Sequence, residues 1–168
     1  KLLGTYDCKS SNCDYAIFSN NNLKSAILNN RYAFISDDEN IYLYDIISGK
    51  SFITYNEVQK VAEGIFLVAQ KNLWGAITIG NTINSLFNCN FDSIEFKNNK
   101  FITSKDNKWT LYQGQNELFK SELKIKDFNE NFVILTTEDN DKLFDYQNNE
   151  YLNMVANKTL SFVENYIL

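Results

Sequence analysis

Short apolar strands and polar turns recur along this sequence at intervals of about 34 residues, and such a repeat constrains the fold more than any single motif does. Each repeat has an apolar strand, a polar turn, a second strand, a second turn and a third strand. The repeats cover about 32-63, 64-99, 100-130 and 131-155, with a partial repeat over 1-31. The pattern predicts an all-β fold of tandem meander or hairpin repeats, forming either a small propeller-like ring or an open β-solenoid.

One position early in the second strand of each repeat carries a large apolar side chain. It falls at Tyr42, Trp74, Trp109 and Leu143, at intervals of 32, 35 and 34 residues by subtraction. In repeat proteins such a side chain more often packs between neighbouring repeats than binds a ligand. We therefore expect four equivalent positions, each more than half buried. The alternative is a surface on which sugars or peptides stack.

The turns between the strands are rich in Asn, Asp and Gly. Asn and Asp tolerate left-handed backbone and hydrogen-bond to their own chain, as hairpin loops require. The segments that connect the repeats have room for a short fourth strand, such as 93–96 or 123–125. Three or four strands in each repeat would make a blade-like sheet.

The length and charge of the chain limit its class. At 168 residues it is long enough for one domain with a substantial core and too short for two, so a single domain over 1-168 is expected. A net charge of -5, without a long run of Lys or Arg, argues against binding nucleic acid. No apolar stretch reaches the roughly twenty residues that cross a bilayer. Direct membrane insertion of this segment is not expected, and a signal or anchor would lie outside the sequence.

Several kinds of chemistry have no support in the sequence. Without histidine there is no Ser-His-Asp or Cys-His catalytic group, and no glycine-rich phosphate loop occurs, so no cofactor is expected. Acidic residues cluster in two predicted turns, where they are usually solvated; an acid–base pair or a calcium site is the alternative. The clusters are Asp37, Asp38 and Glu39, and Glu138, Asp139 and Asp141.

The chain has three cysteines. Cys8 and Cys13 bracket a short polar turn, and a tight hairpin would bring their Cα atoms within the roughly 7 Å that a disulfide needs. We expect that disulfide if the chain resides in an oxidising compartment, and two ordinary thiols otherwise. Cys89 lies alone in its repeat and is expected to be a buried thiol. Three cysteines without histidine do not predict a four-ligand zinc site.

The segment "AEGIFLVAQKNLWGAIT" resembles the WG-repeat pattern, also called KWG, in which a Glu-Gly pair precedes an alternating strand, a turn and a Trp-Gly pair. Glu63, Gly64, Trp74 and Gly75 match that pattern. Phe91 and Asp92 stand where the family has a Tyr-Asp pair. The third repeat keeps Trp109 but has Thr110 in place of the glycine, and the first and fourth repeats have Tyr42 and Leu143 in place of the tryptophan. One good copy and three degenerate copies cover about 130 residues.

The resemblance implies a β-rich repeat protein without assigned chemistry, often at the surface or envelope of a bacterial cell. We therefore expect a non-catalytic interaction module, extracellular or in the cell envelope, that binds protein or glycan through the loops of a β-repeat scaffold. An enzyme that acts on polysaccharide with two carboxylates is the first alternative. A purely structural spacer is the second.

Overall fold

The computed structural model describes residues 24–37, 39–152, 159–163 and 166–167. Within those ranges the chain forms only β-strands and turns, which confirms the all-β prediction. The chain divides after Asn90 into two compact parts, the N-terminal unit and the C-terminal unit. The single domain over 1-168 and the choice between ring and solenoid stay predictions.

Two four-stranded antiparallel sheets make up the described part of the N-terminal unit. Each is a meander in which every strand pairs with the next strand along the chain. Sheet 1 consists of β1 (Lys24–Ile27), β2 (Tyr32–Ser36), β3 (Ile41–Asp45) and β4 (Lys50–Tyr55). Sheet 2 consists of β5 (Glu57–Ala62), β6 (Ile65–Gln70), β7 (Leu73–Ile79) and β8 (Ile83–Phe91).

The C-terminal unit repeats the same arrangement in two further four-stranded meanders. Sheet 3 consists of β9 (Ser93–Lys97), β10 (Lys100–Lys105), β11 (Lys108–Gln113) and β12 (Asn116–Ser121). Sheet 4 consists of β13 (Lys124–Phe128), β14 (Phe132–Thr136), β15 (Asp141–Asp145) and β16 (Glu150–Leu152). A two-stranded sheet pairs β17 (Phe162–Val163) with β18 (Tyr166–Ile167).

The sheets begin earlier than the repeat boundaries drawn from the sequence. They start at 24, 57, 93 and 124, seven or eight residues ahead of the boundaries at 32, 64, 100 and 131. The strand in each connecting segment is therefore the first strand of the following sheet. For example, β9 pairs with β10 over five residues. The hydrogen-bonded strand pairs are needed to assign this strand to a sheet, because the sequence of the connecting segment does not show which neighbouring sheet the strand joins.

Burial follows the place of each strand in its sheet. The second strands, β2, β6, β10 and β14, contain runs of buried residues, which is typical of strands covered on both faces. Phe34 and Phe66 join the cores of sheets 1 and 2, with ring centroids 5.3 Å apart. In the C-terminal unit, Ile102 of sheet 3 belongs to one core cluster with Val133 and Leu135 of sheet 4. Each such side chain contributes roughly 1.5 to 3 kcal/mol through burial.

Left-handed backbone closes the tightest hairpins. The β6–β7 turn has φ of 50° and 67° at Lys71 and Asn72, and the β10–β11 turn has 51° and 59° at Asp106 and Asn107. Positive φ at both central residues defines the two-residue turn whose twist matches that of antiparallel strands. Asparagine is among the few non-glycine residues that adopt this backbone at low cost, which gives the frequent Asn residues a structural role.

Sheets 1 and 4 share a second set of turns, at positions 100 residues apart. The side-chain oxygen of Asn29 accepts hydrogen bonds from two backbone N–H groups just ahead of β2, and that of Asn129 does so ahead of β14. The loops at 37–40 and 137–140 are each closed by a backbone hydrogen bond, of 3.0 Å and 2.9 Å. Sheets 1 and 4 are therefore built on the same turns, while sheets 2 and 3 use two-residue hairpins.

The two glycines of the WG-like segment, Gly64 and Gly75, are required for different structural reasons. Gly64 has a φ of +66°, in the left-handed region, and a Cβ there would lie 3.1 Å from the carbonyl oxygen of Ile79. Gly75 has no such φ, but a Cβ on it would lie 2.5 Å from the carbonyl oxygen of Phe87. The backbone of β8 thus passes directly over Gly75, and no larger residue fits there without a shift of the main chain.

Three residues of the sequence predictions, Cys8, Cys13 and Asp38, lie outside the described residues, so their disulfide and acidic-cluster assignments stay predictions. Cys89 in β8 is partly buried, and its thiol lies 3.6 Å from the carbonyl oxygen of Val68. Burial raises the pKa of this thiol. Over the ranges that the structure describes, no helix is long and apolar enough to cross a bilayer.

Candidate interaction surface

Three of the four repeat positions share one register. Tyr42, Trp74 and Trp109 each lie one pair inward from the pair that closes the hairpin in their sheet. All three side chains are partly buried. Trp109 packs against the core cluster of the C-terminal unit, and the Lys124 ammonium lies 5.6 Å from its ring centroid. Tyr42 instead donates a hydrogen bond of 2.9 Å to the carboxylate of Asp37.

The strand pairing corrects the fourth member of this set. Leu143 pairs with Ile134 and lies two pairs inward from the end of its hairpin. It corresponds to Leu43, which is also fully buried. Lys142 occupies the place equivalent to Tyr42. The sequence pattern pointed to Leu143 because it is apolar. The hairpin loops of sheets 1 and 4 instead place the equivalent residue one position earlier, at Lys142.

Two buried carboxylates hold the matching turns of sheets 1 and 4. The Oδ1 atom of Asp45 accepts hydrogen bonds from the N–H groups of Ile47 and Ser48, and its Oδ2 atom lies 3.1 Å from the Arg31 guanidinium. Burial acts to raise the pKa of Asp45, but these hydrogen bonds outweigh it and lower the pKa overall. Asp145 accepts equivalent bonds in its own turn, chiefly from Asn148, and its pKa is also lowered.

Two described members of the acidic clusters, Asp37 in its loop and Asp141 at the start of β15, accept hydrogen bonds from backbone N–H groups. Backbone N–H groups, that of Glu39 first, lower the pKa of Asp37. Burial acts to raise the pKa of Asp141, but hydrogen bonds from Lys126 and from the N–H of Leu160 lower it overall. Among the described residues, no group of three His, Cys, Asp or Glu side chains is placed to hold a metal ion. The pKa values of Asp37, Asp45, Asp141 and Asp145 are all lowered, which is the opposite of what a general acid needs.

An open groove of about 610 Å³, here called the aromatic groove, lies on the surface of the C-terminal unit. One side is formed by the continuous segment 117–123, which includes most of β12. The other side is formed by Phe144, Tyr146, Asn149 and Tyr151, from β15, its turn and β16. Its volume falls within the range of about 300 to 1,000 Å³ that is common for ligand sites.

The aromatic rings of Phe119, Phe144 and Tyr151 line the groove. The centroids of Phe119 and Phe144 are 4.8 Å apart at an interplanar angle of 36°, and those of Phe144 and Tyr151 are 4.9 Å apart at 73°. Phe144 is only 8% exposed, while Tyr151 is 56% exposed. The Lys142 ammonium lies 5.9 Å from the Tyr151 ring centroid. Tyr151 therefore presents an accessible ring that packs against the buried Phe144.

The turn that contributes Tyr146 and Asn149 to the groove is held by hydrogen bonds. The Tyr146 hydroxyl donates to the carbonyl oxygens of Asn129, at 3.1 Å, and Glu130. Burial raises the pKa of Tyr146. Asp145 closes the same turn through the N–H groups of Gln147 and Asn148. These contacts fix the turn that leads into β16, and they reduce the entropy that Tyr151 would lose on binding.

Two other surface features lie outside the groove. A cavity of about 430 Å³ in the C-terminal unit is lined by Lys97, Lys100 and Phe128 among others. Lys97 is paired with Asp127 at 2.7 Å, and Lys100 lies over the Phe128 ring, so its cations already have partners. In the N-terminal unit, β4 is an outer strand with Phe52 and Ile53 exposed.

The aromatic groove was not predicted from the sequence. Its side chains come from two sheets, and nothing in the apolar pattern distinguishes Phe119 and Phe144 from ordinary strand residues. The identical position of Asp45 and Asp145 at the ends of their strands marks matching turns in sheets 1 and 4, but it does not locate the groove.

Comparison with known proteins gave structural neighbours only. No family model matches the chain, and no curated protein matches it. Kluyveromyces lactis Hsv2 with loop 6CD replaced by a Gly-Ser linker is 13% identical, with a TM-score of 0.45 over 86% of this chain and 57% of that one. Kluyveromyces marxianus Hsv2 is 13% identical, with a TM-score of 0.44 over 89% and 60%. The C-terminal WD40 domain of Sif2 is 16% identical, with a TM-score of 0.41 over 77% and 45%.

The chain spans between 45% and 60% of the length of these three structures. The TM-scores are low, and the likenesses do not define the family of this chain.

Proposed function

We propose that this chain is a non-catalytic protein-interaction module and that the aromatic groove is its binding surface. The observation that carries the proposal is the arrangement of Tyr151. Its ring is more than half exposed, yet it rests on Phe144, which is almost completely buried. Rigid aromatic side chains of this kind supply contact area at a low entropy cost and are enriched among residues that dominate binding energy.

A protein partner suits the groove better than a glycan. Sugars stack on flat, exposed ring faces, and Tyr151 is the one aromatic side chain of the groove that is more than half exposed. Leu118, Phe119 and Leu123 are partly buried and offer apolar contacts to an inserted side chain. Apolar anchors that enter a partly desolvated groove are typical of protein recognition.

The carboxylate chemistry supports a non-catalytic role. A glycosidase needs one carboxyl group with a raised pKa to act as the acid. Asp37, Asp45, Asp141 and Asp145 are instead held as anions by hydrogen bonds within turns and strands. The polysaccharide-acting enzyme therefore gains no specific support from these groups.

We further propose that the chain is WG-repeat-like and works at the outside of a bacterial cell. The structural reasons found for Gly64 and Gly75 support a motif kept for backbone packing rather than for chemistry. The proposed location rests on the resemblance and on the predicted pairing of Cys8 with Cys13.

A matched pair of variants tests the binding role. Tyr151→Ala removes the exposed ring of the groove, and Phe52→Ala removes a ring of similar exposure, 52%, from the outer strand of sheet 1. Wild-type chain and both variants are used in parallel in pull-downs and on a glycan array. We expect a protein partner that Tyr151→Ala loses and Phe52→Ala keeps. A partner retained by Tyr151→Ala would exclude the groove, binding on the glycan array alone would favour a glycan, and no partner in either screen would favour the spacer.

A further inference from the structure

The aromatic groove follows the edge of a strand rather than one face of a sheet. Successive side chains of a strand point to opposite faces, so a groove over one face is lined by every second residue. Here every residue from 117 to 123 lines the groove, and the first five of these belong to β12. A groove with such a lining runs beside the main chain of β12.

β12 is the last strand of sheet 3. Among the described residues its hydrogen-bonded neighbour is β11, on one side. The other edge of an outer strand presents N–H and C=O groups that can pair with a further strand. A bulge at Leu118 shifts the register between β11 and β12, which leaves the regular part of that edge at 119–121, next to Phe119.

The charged residues that line the groove are acidic by one net charge, and the Lys142 ammonium lies at the Tyr151 ring beside them. Glu117 and Glu122 are exposed and stand on either side of Lys120, so two of the three charged residues that line the groove are carboxylates. The whole chain also carries a net charge of -5. A partner with Lys or Arg near the ends of its bound segment would match these charges, which favours both its approach and its register.

We propose that the groove binds an extended, basic peptide segment as an added strand along the 119–121 edge of β12. This inference rests on the proposed function and names the partner's chemistry. The peptide main chain pairs with β12, and alternate side chains of the peptide enter the groove against Tyr151 and Phe119. Lys or Arg residues at the ends of the segment face Glu117 and Glu122. Main-chain pairing supplies affinity in this mode of recognition, while the pockets for alternate side chains supply specificity.

The first test uses a phage-displayed library of random linear peptides, panned against the complete chain. Recovered peptides are synthesised with a fluorescent label and titrated by anisotropy. We expect sequences that alternate apolar and polar residues and carry Lys or Arg. Tyr151→Ala should weaken their binding about tenfold or more, equal to about 1.4 kcal/mol, and Phe52→Ala should not. Glu117→Gln combined with Glu122→Gln should weaken it also, whereas Glu138→Gln, an exposed turn control, should not.

Backbone methylation of the peptide tests the added strand itself. Methyl groups on one alternating set of peptide nitrogens should abolish binding, and methyl groups on the other set should have a much smaller effect. Hydrogen exchange should slow, when the peptide is bound, at the amides of 119–121 that point away from β11, and the amides already bonded to β11 serve as internal controls.

The outcomes separate this inference from the proposed function. Proline-rich peptides, or peptides that depend on Tyr151 but tolerate both sets of methyl groups, would overturn the added strand and leave an interaction groove in place. Failure to recover any peptide would also overturn it. Peptides that bind equally well to Tyr151→Ala, together with a pull-down that finds no Tyr151-dependent partner, would remove the interaction groove as well.

Discussion

Replacement of Gly75 by alanine tests the packing of sheet 2 at its tightest point. The added Cβ would lie 2.5 Å from the carbonyl oxygen of Phe87 and 2.8 Å from the backbone of Asn88 and Cys89. All three contacts are with main chain, which cannot rotate aside as a side chain can. Overpacking of a well-packed interior costs about 1 to 3 kcal/mol, and we expect Gly75→Ala to lower the free energy of unfolding by about 3 kcal/mol.

Two other glycines supply the controls. Gly80 has no atom within 4 Å of an added Cβ and no left-handed φ, so Gly80→Ala should stabilise the chain by about 0.4 to 1 kcal/mol through the unfolded state. Gly114 is equally open but has a φ of +60°, so Gly114→Ala isolates the backbone strain, at a cost of about 1 to 2 kcal/mol. Urea denaturation followed by circular dichroism gives all three values. A cost for Gly75→Ala within about 0.5 kcal/mol of the Gly80→Ala result would refute the close approach of β8, since that approach predicts a far larger penalty.

Three further predictions follow from single features. Trp74→Ala should lower the free energy of unfolding, measured by urea denaturation, by about 2 to 3 kcal/mol, which is less than for a fully buried tryptophan because the ring is partly exposed. A loss under about 1 kcal/mol would contradict a packing role. Asp45 has a lowered pKa in the folded chain, so the carboxylate stabilises the fold above its unfolded pKa of about 3.9, and this stabilisation is lost as the pH falls through the folded pKa. Asp45→Asn should therefore reduce the loss of stability between neutral and acidic pH. An unchanged dependence of stability on pH would refute this. Thiol titration of the unfolded, unreduced chain from its native compartment should find one free thiol, Cys89, if Cys8 and Cys13 are paired, whereas three free thiols would exclude that disulfide.

The strands and hairpins could be predicted because they depend on local chemistry. Alternating apolar residues marked the strands, and Asn, Asp and Gly marked the turns, where the structure has left-handed backbone at Asn72 and Asn107. The resemblance drew attention to Gly64 and Gly75, but their reasons differ. The conformation of Gly64 follows from its own turn, while the close approach at Gly75 depends on how β8 crosses it.

Register and the groove could not be predicted from local patterns. The assignment of Leu143 failed by one residue, because it followed apolar character, whereas the equivalent position depends on the pair at which the hairpin closes. The groove requires Phe119 of sheet 3 to meet Phe144 of sheet 4. That contact depends on the packing of two complete sheets, which the spacing of residues in the sequence does not specify.

The most direct test of the central claim, that the aromatic groove is the binding surface, is site-specific photo-crosslinking in intact cells. The photoreactive residue p-benzoylphenylalanine replaces Tyr151 in one variant and Phe52, the exposed aromatic control on β4, in another. We predict a discrete crosslinked protein adduct from position 151 and none from position 52. Adducts of equal yield from both positions, or from position 52 alone, would contradict the claim.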